Sequence, residues 1–277
     1  SANGQINGLL QSDDGRAKRY TGLKFSYTNS ASGAEIGSAS SQVTFERERA
    51  NNLTVGRFIG SSLSKYSKID TNTSGMGLII ESVALQFGSY FIENIAETIF
   101  LDGYIAGALL ANKLEVETTS IIADSYYVSR MGAAGLSMTG SLPLDHLEIR
   151  PTLALGYSAV SSEKAKFEVG SEAGNSIEII THGNERQLNL TFTTDFRKSF
   201  DFKENNRAQD SIISFKPKVN CQRINRDIVT KHCGQGATID FSLQDKNSME
   251  RLFVILGVDK ISETTTYSAN AFYKIEF

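Results

Sequence analysis

Strict alternation of apolar and polar residues, held over long stretches, constrains this chain more than any other feature. In LNLTFTTDFR, Leu188, Leu190, Phe192 and Phe196 share one face, while Asn189, Thr191, Thr193, Asp195 and Arg197 share the other. In LEIRPTLALGYS, Leu147, Ile149, Leu153, Leu155 and Tyr157 oppose Glu148, Arg150, Thr152 and Ser158. Ile213, Phe215, Pro217 and Val219 oppose Ser214, Lys216, Lys218 and Asn220. Ile239, Phe241 and Leu243 oppose Thr238, Asp240, Ser242 and Gln244. The closing SANAFYKIEF sets Ala269, Ala271, Tyr273, Ile275 and Phe277 against Asn270, Lys274 and Glu276. A period of two with one apolar face is a strand signature. Each run lasts roughly 8–11 residues, longer than the usual 5–6 and enough for a tilted strand to cross a bilayer.

Two architectures meet this pattern. A soluble sandwich turns its polar face to bulk water; a membrane barrel turns its apolar face to lipid and its polar face to a wet lumen. Alternation fits both, and strand length favours the barrel. Composition narrows the rest. Only 3 of the 277 residues are Pro, as suits a continuous ladder to which Pro cannot donate. No stretch approaches the roughly 18 apolar residues of a spanning helix. The most apolar, GMGLIIESVALQFGSYF, is broken by Glu81 and Gln86. A net charge of -3 supplies no field for nucleic acid. The opening SANGQINGLL lacks the basic start and apolar core of a secretory signal. It is expected to be a mature end or a boundary within a longer chain.

Twelve strands are expected, at 20–28, 41–49, 53–65, 76–89, 98–109, 129–142, 147–158, 186–197, 211–222, 236–244, 251–259 and 266–277. Twelve is an even number within the range of outer-membrane barrels. Short connections at 50–52, 143–146 and 245–250 contrast with longer polar ones at 29–40, 66–75, 110–128, 159–185 and 223–235. Short turns at one rim and long loops at the other mark such barrels. The connection 198–210 fits only if the eighth strand runs on to Phe202. Two charges fall on the apolar parity: Arg57 with Leu53, Val55, Ile59 and Leu63, and Glu81 with Val83, Leu85 and Phe87. At the bilayer midplane Arg costs roughly 2–4 kcal/mol and an acid less, so a bulge that flips parity is the expected repair.

The polar face offers Glu148, Arg150, Asp195, Arg197, Lys216, Lys218, Asp240 and Lys274 as lumen-facing residues. They would hydrate the pore and pair across neighbouring strands. Their mixed signs argue against a selective filter, which uses rings of one sign. Cys221 and Cys233 frame a polar stretch containing His232. A disulfide across a hairpin, two free thiols, or a metal site with His232 are the readings, and the metal lacks further ligands at fixed spacing. His146, His182 and His232 sit in expected turns and loops, and no Ser and His lie two apart on one strand face, so hydrolase chemistry is not expected. Tyr104, Tyr157, Tyr267 and Tyr273 lie toward strand ends, where interfacial rings would sit.

Four stretches, in order, resemble the translocator (β) domain of autotransporters, the type Va secretion system. They are FERERANNLTVGRFIGSSLSKYSKI, LQFGSYF, LDGYIAGALLANKLEV and LEIRPTLALGYSAV, with the carrying residues at Val55–Ser62, Gly88–Tyr90, Leu101–Ala106 and Ile149–Tyr157. The resemblance covers about residues 41–277 and includes the terminal Phe. It implies a barrel that helps an N-terminal passenger of the same precursor across the outer membrane, joined by a segment, often helical, in the lumen. It also implies insertion machinery and periplasmic chaperones that read the last strand, here Tyr273, Ile275 and Phe277. Two departures stand out. Residues 1–19 make a weak helix, because Gly4, Gly8 and Gly15 each cost about 1 kcal/mol against Ala. The Asn51–Asn52 pair lies in a turn, so self-cleavage in the lumen is not expected.

The expectation is therefore all-β: a twelve-stranded antiparallel transmembrane β-barrel over 20–277, with 1–19 as a linker or pore segment. It is expected to be a monomeric autotransporter translocator in a Gram-negative outer membrane, exporting its passenger. No enzymatic activity, cofactor, metal or nucleic-acid partner is expected. The alternative is a monomeric outer-membrane solute channel.

Overall fold

The computed structural model describes the chain except residues 1, 13–15, 30–33, 51, 71–75, 118–121, 146, 164, 170–175, 181–183, 205–206, 227, 246–249, 262–263 and 276–277; along β1 and the end of β16 it gives the backbone path. Among the described residues sixteen strands follow in order. The first eight are β1 (Ala2–Gln11), β2 (Ala17–Asn29), β3 (Ala34–Ala50), β4 (Leu53–Asp70), β5 (Met76–Ala96), β6 (Ile99–Glu117), β7 (Ile122–Gly140) and β8 (Leu142–Leu144). The rest are β9 (Leu147–Ser162), β10 (Ala165–Val169), β11 (Ser176–Ile180), β12 (Glu185–Glu204), β13 (Arg207–Asn225), β14 (Val229–Asp245), β15 (Glu250–Ile261) and β16 (Thr264–Ile275).

Pairing closes the sheet on itself. β7 pairs with β9 and β1 pairs with β16, so β1–β7, β9 and β12–β16 form a ring. β8 flanks the start of β9, and the β10–β11 hairpin carries the sheet past one rim along β7. We call that rim the upper one. The lower rim is the end at which β1 leads into β2, β3 into β4, β5 into β6, β7 into β9, β12 into β13 and β14 into β15. Twelve of the ring strands are the twelve expected ones, every one antiparallel to its sequence neighbour.

The thirteenth is β1. Residues 2–11, expected as a linker or pore segment, lie in the wall. They run antiparallel to β2 (Ala2↔Tyr27 to Gln11↔Lys18) and parallel to β16 (Ala2↔Ala269 to Asn7↔Lys274). One parallel seam is unavoidable: up-and-down strands alternate in direction, and an odd ring must join two of like direction.

The strands are longer than alternation indicated. β4, β5, β6 and β12 hold 18, 21, 19 and 20 residues. Most of the expected loops 29–40, 66–75, 110–128 and 223–235 are therefore strand. Their ends, such as KYSKID and ANKLEVE, rise past the apolar band, where both faces meet water and nothing enforces alternation. The eighth expected strand does run on past Phe202, with β12 and β13 paired down to Glu204↔Arg207.

Extra length also settles the two misplaced charges. The register shifts near them lie at rim turns, between Glu48 and Ala50 and between Asn94 and Ala96, and flip neither residue. Arg57 faces outward opposite Phe45, four residues above the lower end of β4. Glu81 faces outward five residues below the upper end of β5, with Lys65 Nζ 2.9 Å from its Oε1. The expected bulges are absent because both charges sit near a band edge.

This molecule is apolar outside. Leu63, Val83 and Phe87 are 58%, 55% and 52% exposed, while the buried apolar residues among those described are Ala34, Ala84, Leu114 and Ala123. Water would not tolerate so continuous an apolar girdle; lipid does.

Candidate functional site

The inward parity of every ring strand lines one lumen. On β9 and β12–β15 it carries a charge network. Arg150 Nε lies 2.6 Å from Glu148 Oε1, which also accepts from Ser141 Oγ at 2.6 Å. Register sets Arg150 opposite Asp195 and Glu148 opposite Arg197. Arg197 Nε donates to Asp195 Oδ2 at 2.7 Å, and the Ser214 hydroxyl donates to the other oxygen of Asp195. Lys216 Nζ lies 3.7 Å from Asp195 and donates to Asp240. Lys218 Nζ meets Asp259 Oδ2 at 2.8 Å, with the carboxylate lying over Gly236. Four cations face four anions here, so the network is neutral and each member has a partner.

Seven of the eight residues anticipated for the lumen thus form one cross-strand zipper. Lys274 is placed by backbone only, between Arg251 and Asn7. Asp259 was missed. It closes the expected strand 251–259 on the parity opposite Leu252, Leu256 and Val258, so the alternation did contain it. Tyr273 and Ile275 lie on β16 by backbone path, and Phe277 lies outside the described residues.

The other half of the lumen, on β3–β7, is built differently. Its inward row Ser38, Ser64, Ser82 and Asn112 is small and uncharged. Glycines there make room for rings. The Tyr90 ring crosses Gly56 and its hydroxyl donates to Glu46; the Tyr104 ring covers Gly135; Phe58 covers Gly88. Tyr104 is therefore a lumen residue rather than an interfacial one. Large rings over glycines keep a curved wall filled where strands cross closely. Tyr157 and Tyr267 do face outward, both well exposed.

Cys221 and Cys233 are opposite one another on β13 and β14 and are joined as a disulfide. They share the outward parity of Val219, while His232 takes the inward one, opposite Gln222. The bond consumes both thiols and His232 points away from it, so this trio is not a metal site. His146 and His182 lie outside the described residues.

No family model matches the chain, and no curated protein does. Solved structures do. The β domain of the Bordetella autotransporter BrkA superposes with a TM-score of 0.59 at 10% identity, covering 100% of both chains. The translocator domain of the autotransporter NalP from Neisseria meningitidis gives 0.59 at 12% identity, over 92% of this chain and 84% of its own. At such identities the likeness is one of architecture: the chain has the fold of autotransporter translocator domains.

Proposed function

We propose that this barrel sits in the outer membrane of a Gram-negative bacterium as a translocator for a passenger polypeptide attached upstream of Ser1. It is a transport part rather than an enzyme. Its partners are that passenger, the lipid bilayer, periplasmic chaperones and the barrel-insertion machinery, and it acts as a monomer. The observation that carries the reading is the polarity of the two ends. Ala2 pairs with Tyr27, two residues below the upper end of β2, while Ile275 ends β16 at the lower rim. Long hairpins lie outside the cell and short turns in the periplasm. A passenger joined ahead of Ala2 would thus stand at the cell surface, with the C-terminal strand available to periplasmic machinery. On this reading residues 2–11, paired along β2 and β16, leave the lumen to the passenger.

The test fuses a reporter domain upstream of Ser1 and asks whether protease added to intact cells removes it. Cleavage with the barrel still heat-modifiable on a gel is expected; a reporter retained in the periplasm would overturn the reading and leave the solute channel. For Tyr273, Ile275 and Phe277 we infer an insertion signal. Deleting Phe277 is expected to lower assembly in cells far more than it lowers stability of barrel already refolded in detergent. Equal losses would leave only packing.

A further inference from the structure

The lumen is two-sided, and we infer that the polypeptide in transit runs along one side of it, the wall of β3–β7, which is uncharged through its middle, above the inward carboxylates Glu46 and Asp102 near its lower end. This rests on the translocator reading. Four observations carry it. First, the middle of that wall has no inward charge: from Ser38 to Thr44 on β3, across to Tyr127 to Gly135 on β7, every inward position is neutral. The opposite wall holds the ion-pair zipper of Asp195, Lys216, Asp240 and their partners.

Second, the two walls differ in chemistry. Ala84, Ala106, Ala108 and Ala133 line the lane at its centre beside the uncharged Phe58, Gln86, Leu110 and Met131, whereas Arg150, Arg197, Lys216 and Lys218 carry fixed charge opposite.

Third, the lane's polar groups satisfy one another through neutral bonds. Ser26 Oγ and Ser38 Oγ are 2.5 Å apart, Ser82 Oγ donates to Asn112 Oδ1 at 2.7 Å, and Asn112 Nδ2 donates to Ser129 Oγ at 3.0 Å. A passing backbone exchanges such bonds at little net cost, because neutral hydrogen bonds are weak relative to charged ones. The zipper offers the reverse: bonds that are strong and already made.

Fourth, a route open to many sequences has to read the backbone alone. Small hydroxyl, amide and alanine side chains do this without selecting a charge. The partner that fits is an extended, unfolded polypeptide.

The experiment places a photoreactive benzoylphenylalanine at Ser62, Ser82 or Ala106 in the lane, and at Thr193 or Thr238 in the zipper wall. Each barrel carries upstream of Ser1 a reporter of known sequence, stalled in transit by a closed disulfide loop. Every variant is first checked for heat-modifiable mobility, and one that fails is replaced by Ser64 or Ala108 in the lane or by Thr191 in the zipper wall. Lane positions are expected to cross-link the reporter at least about fivefold more than zipper positions. Equal or stronger cross-linking from Thr193 and Thr238, with the unstalled reporter still exported, would overturn the lane and leave the translocator reading intact. An unstalled reporter that never reaches the surface would overturn both.

Discussion

Arg57 and Leu63 share the outward face of β4, and the depth of each can be worked from the strand itself. β4 has 18 residues. At about 3.4 Å per residue and a tilt near 40°, each residue adds about 2.6 Å of height, so β4 stands about 44 Å tall. An apolar band of about 25 Å then leaves roughly 10 Å beyond each edge. Arg57 lies four residues above Leu53, about 10 Å up and so at the lower edge. Leu63 lies ten residues up, about 26 Å and close to the middle. Arg57→Leu should therefore change the free energy of unfolding by at most about 1 kcal/mol, whereas Leu63→Arg should cost about 2–4 kcal/mol. The measurement is urea unfolding of barrel refolded in phosphatidylcholine vesicles. With no Trp in the chain, it is followed by tyrosine emission or by gel mobility. Stabilisation of 2 kcal/mol or more by Arg57→Leu would put the guanidinium deep in lipid and refute the depth argument. Equally small effects at both sites would refute lipid contact altogether.

Three further outcomes are expected. Replacing both Cys221 and Cys233 by Ser should lower resistance to urea by up to about 3 kcal/mol in the loop-entropy model, and the difference should vanish when the unsubstituted protein is reduced. Gly56→Ala puts a methyl into the Tyr90 ring; it should cost about 1–3 kcal/mol, with most of the loss recovered in the double variant that also carries Tyr90→Ala. Asp195→Asn strips the carboxylate from Arg197 and Lys216; it should cost about 1.5–3 kcal/mol and shift the reversal potential of the pore in a planar bilayer toward anions.

What was legible in the sequence follows from where the lipid lies. Inside the apolar band the environment changes with every residue, so Leu153, Leu155 and Tyr157 had to alternate with polar neighbours, and twelve of the thirteen ring strands could be read. Above and below it both faces meet water, and the ends of β4, β6 and β13 read as loops. The zipper was legible because Glu148, Arg150, Asp195 and Arg197 interrupt apolar parity. Its pairings were not, since they depend on registers such as Arg150 opposite Asp195. Tyr104 misled because an aromatic near a strand end has two homes, and only the glycine opposite it, Gly135, distinguishes lumen from interface. β1 was missed for a different reason. By backbone register Ala2, Gly4, Ile6, Gly8 and Leu10 share the parity of Tyr27, Phe25 and Leu23 on β2, a row too poor in large apolar residues to signal a strand in the sequence.

That weakness at β1 bears on how the barrel closes. An antiparallel ring of twelve would bring β2 directly against β16 and leave both chain ends at the lower rim. Inserting β1 costs one parallel seam, where pairing is slightly weaker per residue than in the antiparallel neighbours. It covers only Ala2 to Asn7 on that side, against ten paired residues on the β2 side. The strand is thus held by its hairpin partner more than by the seam. Thirteen strands, unlike twelve, bring Ala2 to the upper rim within the wall. The seam is where the fold trades pairing strength for a first strand whose start, Ala2, lies at the rim opposite the end of β16.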